Sequence, residues 1–406
     1  MRRIAWLLLL LFAFAIPWEY SMDLGEPLGN VARVIGLLVL LVAIPAVLQA
    51  GHLRAPGPMQ WLVLAYFLWL CCTYFWTIDP AATRSTLRGY FQELMIVWLV
   101  WEFAESAHDL RALMRATVAG SWVLALLTIA NFAAADALVN GQIRFAAVGQ
   151  DPNDVARYLN LSFPLAALLL QSERRWPWRL LAASYLPLGL VAVLLTASRG
   201  GFLAAVVALA GSGLLLAVLH PRRSLAGSLV LPPLAVLLWF TIPRGSFERL
   251  ATITEQLQSG DLNQRWNIWQ SGWNAFVQVP FFGTGAGTFV SAAGLGPSDT
   301  AHNTALSIAV SGGLCALFIF TAMVAVAVWS IAQCRGPLRW AMALALLVWL
   351  ITSLVATVEE SRTTWLLLAL MALASRLAGE EPEELAECFP GGSSRDDLQV
   401  LSNPIL

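Results

Sequence analysis

Two short stretches of this chain set a chemically able side chain at a place where backbone groups would assist it. In the first, Thr196-Ala197-Ser198-Arg199-Gly200-Gly201-Phe202 lies between two long apolar runs with almost nothing to serve as a loop. Ser198 suits the N-cap of the helix that follows, whose unpaired N–H groups and positive dipole end would then sit beside the Arg199 guanidinium. Gly200 and Gly201 would let another group approach the backbone, and the whole reads as an anion site. The same residues also fit a tight turn in which glycine allows close helix packing, and that reading stands beside the first.

The second stretch is Asp299-Thr300-Ala301-His302-Asn303-Thr304. Asp299 or Thr300 would cap a helix with His302 in its first turn, where the positive helix end disfavours imidazolium and leaves a ring able to accept a proton. A helix-start histidine bonded to its neighbours is the plainer alternative. Other patterns carry less. Gly283-Thr284-Gly285-Ala286-Gly287-Thr288-Phe289 lacks the spacing and strand-turn-helix setting of a nucleotide fingerprint and reads as a flexible loop. Glu359 and Glu360 pair most simply with Arg362. No HExxH, Walker or clustered Cys and His pattern occurs, and the five cysteines predict neither disulfides nor a zinc site.

The elements that must position these groups follow from composition. Of 406 residues 58% are hydrophobic and 12% charged, and the mean hydropathy is +0.70, which places the chain in the membrane. Apolar runs long enough to cross as helices predict an all-α integral membrane protein of about twelve spans: 3–18, 31–50, 59–77, 85–103, 111–133, 153–171, 178–196, 199–219, 225–242, 303–332, 338–357 and 362–378. The basic, apolar opening lacks a small-residue cleavage site and reads as an uncleaved first span.

All 24 basic residues are arginine. With the N-terminus cytoplasmic, most fall in inner loops, as the positive-inside rule expects, and the even count returns the C-terminus to the same side. Against that rule, Arg33, Arg84, Arg88, Arg144, Arg157, Arg199, Arg244, Arg249, Arg265 and Arg362 gather at the outer face, through interfacial pairing or for a shared purpose. His52, His108 and His220 fall in inner loops, leaving His302 as the outer histidine. The chain divides into spans one to nine (1–242), an outer loop (243–302), spans ten to twelve (303–378) and an acidic cytoplasmic tail read as disordered (379–406). Within the outer loop, Ser246–Gln258 and the Arg265–Val277 region read as amphipathic helices forming a lid, the second with Trp266, Trp269, Trp273 and Phe276 on one stripe.

The ordered set GQDPNDVARYLNLSFPLA, TASRGGF, QRWNIWQSGWNAF with GTGAGTF after it, AHNTALSIAVSGG and EESRTTWLLLALM resembles the O-antigen ligase and polymerase superfamily of bacterial envelope assembly. The resemblance runs over about residues 140–378. It implies a GT-C-like bundle in the bacterial inner membrane, with a helical periplasmic loop between spans nine and ten and a periplasmic active site. The implied reaction is metal-independent, inverting transfer of glycan from an undecaprenyl-pyrophosphate-linked donor, without cofactor, nucleotide or nucleic acid. In the ligase branch the acceptor is a sugar hydroxyl of lipid A-core. By matched positions Arg199 and Arg265 would neutralise the departing pyrophosphate, Arg84 and Arg88 would support them, and His302 would orient or deprotonate the acceptor.

A short loop between spans five and six favours the ligase over the polymerase branch, and no long C-terminal outer region points to protein O-oligosaccharyl transfer. A lipid-linked glycan transporter is the reading of another class. It would need polar groups spread through the bundle and two-fold repetition, neither of which is evident.

Overall fold

The computed structural model describes residues 1–25, 28–134, 144–221, 231–252, 265–296 and 299–391. Among these residues the regular secondary structure is helical apart from one isolated antiparallel bridge between Asp23 and Asn30. The helices are α1 (Arg2–Ala15), α2 (Val31–Ala50), α3 (Pro58–Cys72), α4 (Pro80–Phe103), α5 (Ala107–Ala134), α6 (Pro152–Ser172), α7 (Trp176–Thr196), α8 (Arg199–Leu219) and α9 (Leu231–Thr241). Next come α10 (Arg244–Ala251), α11 (Arg265–Gln278), α12 (Phe289–Ala292), α13 (Thr304–Gln333), α14 (Gly336–Ser353), α15 (Arg362–Glu380) and α16 (Pro382–Cys388). Each of the twelve expected spans meets a helix; the ninth is described from residue 231, since 222–230 lie outside the described residues.

Eight of the described helical segments are long and apolar enough to cross a membrane, and the chain is an all-α integral membrane protein. The other expected spans are α4, α6, α9 and α15. Two of these owe their polarity to position. Sixteen of the 21 residues of α6 and fourteen of the 19 of α15 are buried, because each is ringed by neighbours: α6 by α5, α7, α8 and α14, α15 by α4 and α13. A helix shielded from lipid can carry Arg157, Asn160 and Ser162, or Thr363, Thr364 and Arg376, provided partners are found inside the protein.

The glycine-rich stretch is not a flexible loop. Residues 283–286 are buried, and their backbone bonds across to α13: Thr284 N–H donates to Val310 O at 2.9 Å and Gly285 N–H to Ser311 O at 2.9 Å. Opposite, α13 breaks at Gly313 (φ 69°, ψ −171°), where Leu314 N–H turns to Pro280 O at 2.8 Å. On its other side Ala286 N–H donates to Thr73 Oγ1 and Ile78 N–H to Thr284 O, each at 3.0 Å. A Cβ on Gly283 would lie 2.5 Å from Gly313 N, and one on Gly285 2.1 Å from Thr77 Oγ1, so glycine is required by contact as well as by positive φ. Sequence shows the glycines but not the partners that immobilise them.

In the segment read from sequence as the outer loop, α11 covers the expected region, while α10 covers Arg244–Ala251 and so ends short of the expected Ser246–Gln258 helix, with 253–264 outside the described residues. The aromatic stripe of α11 divides its duties. Trp266 and Trp273 are exposed, while Trp269 Nε1 donates to Ala301 O at 3.0 Å and Phe276 joins Ala275, Phe289 and Val310 in a small core. Gly272 is the close-contact point, since a Cβ there would meet the Phe289 ring at 2.7 Å.

The C-terminal region orders further than its acidity suggests. Pro382–Cys388 forms α16, and Leu385, Cys388 and Phe389 are buried against α5 and α15; residues 392–406 lie outside the described set. Arg362 also departs from expectation. Its partner is Glu19, with Gln92 on its second nitrogen, rather than the adjacent Glu359 or Glu360. Neighbours in sequence at a helix start point apart, whereas Glu19 is delivered by the 3-10 turn Ile16–Ser21.

Candidate active site

The α7–α8 hairpin is the floor of the site. Helix α7 ends at Ala197 in the left-handed region (φ 47°, ψ 31°), and Ser198 caps α8 by accepting from Gly201 N–H at 3.2 Å. The glycines do serve packing: a Cβ on Gly201 would come within 2.4 Å of Ala156 Cβ, and Asn160 Nδ2 donates to Gly201 O at 2.7 Å. Arg199 does something else. Its Nε donates to Arg249 O at 3.0 Å and its Nη2 to Thr252 Oγ1 at 2.6 Å, so the guanidinium is held by the last turn of α10.

Helix α6 adds a third element. Asp151 caps it by accepting from Asn153 N–H at 2.7 Å, with Pro152 in the first position. Asn153 Oδ1 then accepts twice, from Ser198 Oγ at 2.9 Å and from Arg144 Nη2 at 2.8 Å, while Arg144 Nε reaches Thr196 O at 3.2 Å. One amide oxygen thus ties the α6 start, the hairpin turn and an arginine from the preceding segment.

Electrostatics shows which charges share this space. Burial, then Arg249, Arg199 and Arg265, lower the Arg144 pKa, with Asp151 opposing; burial and then Arg199 lower that of Arg265, again against Asp151. Mutual repulsion among guanidinium groups in a partly desolvated place is relieved by an anion. His302 joins them: burial first, then Arg265, hold its imidazole below the ordinary value, against Asp151, Asp299 and Asp154. The ring is therefore neutral near pH 7 and can take a proton.

The expected cap of α13 is corrected. Asn303, not Asp299 or Thr300, is the N-cap, accepting from Leu306 N–H at 2.9 Å, so His302 stands just outside the helix instead of in its first turn. Its φ is 48°, and Ala197 and His302 are the non-glycine residues with positive φ among those described. Both lie at this site, where such strain is often tolerated for positioning. Thr300 Oγ1 lies 3.2 Å from His302 Nδ1, and Thr304 anchors the helix start by donating to Ala356 O at 2.9 Å.

Arg199, Arg265 and His302 are thus brought into one neighbourhood. Arg84 and Arg88 stand exposed on α4, and Arg88 lines a different feature: an apolar groove of about 350 Å³ between α1, α2, α3 and α4, with Arg33 and Gln92 its other polar residues.

Residues 184–321 match the family described as O-antigen ligase, Wzy_C. The match runs from within α7 to within α13, so it includes Arg199, Arg265 and His302. Members of the Wzy_C family are glycosyltransferase-like enzymes of lipopolysaccharide and glycan assembly. No curated protein matches the chain.

Outside the Wzy_C match lie three contributors that sequence reasoning left without roles here: Asp151, Asn153 and Arg144. The Asp-Pro-Asn run is itself a helix-start signal, and it could have shown that Asn153 faces the loop side of α6. Arg249, inside the match, was visible only as one of many outer arginines.

Proposed function

We propose that this protein is an O-antigen ligase, joining a glycan from an undecaprenyl-pyrophosphate carrier to a sugar hydroxyl of lipid A-core at the periplasmic face of the bacterial inner membrane. The observation that carries the reading is the group of Arg199, Arg265, Arg144 and Arg249 acting on one another beside a neutral His302, within and bordering the Wzy_C domain.

Breaking the anomeric C–O bond leaves a pyrophosphate, and planar guanidinium groups placed beforehand stabilise that charge as it develops. Arg199 and Arg265 take this task. The Asn153 bridge and the α10 turn restrain Arg144 and Arg199, so little reorganisation is needed when the bond breaks. His302 removes the proton of the attacking hydroxyl, which enters opposite the leaving group in one inverting displacement and needs no metal or nucleotide. Arg84 and Arg88 provide further positive charge toward anionic lipid, Arg88 from the wall of the apolar groove. Both termini are cytoplasmic in this arrangement, and exposed Trp266 and Trp273 suit the periplasmic interface.

The test is a lipopolysaccharide gel from a host lacking this gene, run with an assay of carrier-linked glycan. Bare core with accumulated long carrier-linked polymer is expected. Core bearing a single repeat would instead indicate a polymerase, and unchanged lipopolysaccharide in an O-antigen-producing host without a second copy would reject both.

A further inference from the structure

Helix α15 runs from Arg362 to Glu380, some 28 Å of rise. At its far end from Arg362, α16 folds back on the first turn of α5 and brings together three side chains that sequence separates by up to 280 residues. His108 Nδ1 lies 2.9 Å from Glu384 Oε1 and 3.6 Å from Cys388 Sγ, and the three donor atoms all fall within 4.8 Å of one another.

We propose that His108, Glu384 and Cys388 form a binding site for a zinc-like divalent ion. The spacing suits one: tetrahedral bonds of about 2.0 Å to nitrogen or oxygen and about 2.3 Å to sulfur place N and S roughly 3.5 Å apart, and N and O roughly 3.3 Å. The observed 3.6 Å and 2.9 Å need adjustments of only a few tenths of an ångström. A thiolate, an imidazole and a carboxylate together suit zinc and its neighbours, and do not suit magnesium or calcium, which take oxygen ligands.

The surroundings add two observations. Glu384 and Cys388 lie four residues apart on one face of α16, with Glu381 a turn earlier hydrogen-bonded to Glu384. Two carboxyl groups in contact call for a proton or a cation between them. Moreover, Glu381 Oε2 is shut from solvent with no hydrogen-bond partner among the described residues, an uncompensated acceptor one turn from Glu384. Arg111, stacked on Phe389 with 5.3 Å to the ring centre, places a positive charge near Cys388 that favours the thiolate against burial.

On binding, the Cys388 thiol releases its proton to solvent and sulfur joins the ion as thiolate. The ion would then staple α16 to α5, at the opposite end of the bundle from Arg199.

The test uses the full chain, purified in detergent without a polyhistidine tag, stripped with chelator and reloaded with Co(II) and then Zn(II). Expected are one ion per chain by elemental analysis and a thiolate-to-Co(II) charge-transfer band that Zn(II) abolishes. Cys388→Ser should remove the band. His108→Ala, which truncates a side chain 73% exposed and leaves the packed interior untouched, should weaken binding at least about tenfold. No metal above the buffer blank, a band that survives Cys388→Ser, or unchanged affinity in His108→Ala would each overturn the proposal.

Discussion

Arg199 and Arg249 are cross-tied through backbone carbonyls: Arg199 Nε donates to the Arg249 carbonyl at 3.0 Å, and Arg249 Nε donates to the Ala197 carbonyl, two residues before Arg199, at 3.2 Å. Two like charges are kept close because each is bonded to a carbonyl dipole beside the other. Such a pair is ready for an anion before one arrives. Arg199→Ala is expected to lower glycan transfer about 10²- to 10³-fold with folding intact. Arg199→Lys should restore little, since an ammonium cannot reproduce the fixed fork that reaches both Arg249 O and Thr252 Oγ1. Transfer from purified carrier-linked donor measures both; near-normal turnover in the alanine variant removes Arg199 from the site.

The pH dependence follows from His302. A base must be neutral, so transfer should fall on the acid side as the ring protonates, with the limb below the ordinary histidine value of 6.5. Arg265 lowers this pKa and Asp151 raises it, which gives opposite signs for two variants. Arg265→Gln removes a repelling charge, so the limb moves to higher pH. Asp151→Asn removes an attracting charge but keeps a capping side chain, so the limb moves to lower pH. A pH–rate profile for each variant checks this, and limbs that do not move would show that another group titrates.

Much of this molecule was legible in advance where local rules decide. The helices follow from apolar run length, and the Ser198 cap from one residue type at one place. Where distant segments decide, the sequence was silent. Gly283 and Gly285 looked like slack because Thr77 and the break in α13 are not visible beside them. Glu19 was not recognisable as the Arg362 partner from 343 positions away, nor His108 as a neighbour of Cys388. The candidate site divides in the same way. Arg199 stands at a helix start that can be read directly and His302 beside one whose cap, Asn303, the sequence reading misplaced, whereas Asn153 acquires its role only when α6 meets the α7–α8 turn.

Asn153 offers a test of that junction. Its Oδ1 is the common acceptor for Arg144 and Ser198, so Asn153→Ala should release both and lose about 1 to 3 kcal/mol of stability. Asn153→Asp keeps an acceptor in place and adds a charge that suits Arg144. It should hold its melting temperature better than the alanine variant. Its transfer rate should still fall, because the added carboxylate competes with pyrophosphate for Arg144. Equal stability of the two variants would mean that the oxygen is not what ties the junction.

The glycine-rich stretch is best tested through stability. In Gly283→Ala the new methyl carbon would lie 2.5 Å from Gly313 N and 2.6 Å from Ser311 O, backbone atoms that cannot rotate away. Gly283 also has φ +69°, where a side chain alone costs about 1 to 2 kcal/mol. Gly294 supplies the comparison: its φ is +65°, but a Cβ there meets nothing within 4 Å. Gly294→Ala should therefore show the backbone cost alone, and Gly283→Ala that cost plus separation of the loop from α13. Thermal unfolding in detergent should place Gly283→Ala well below Gly294→Ala. If both melted together, the loop would not be bearing on α13, and the helix break at Gly313 would need another cause.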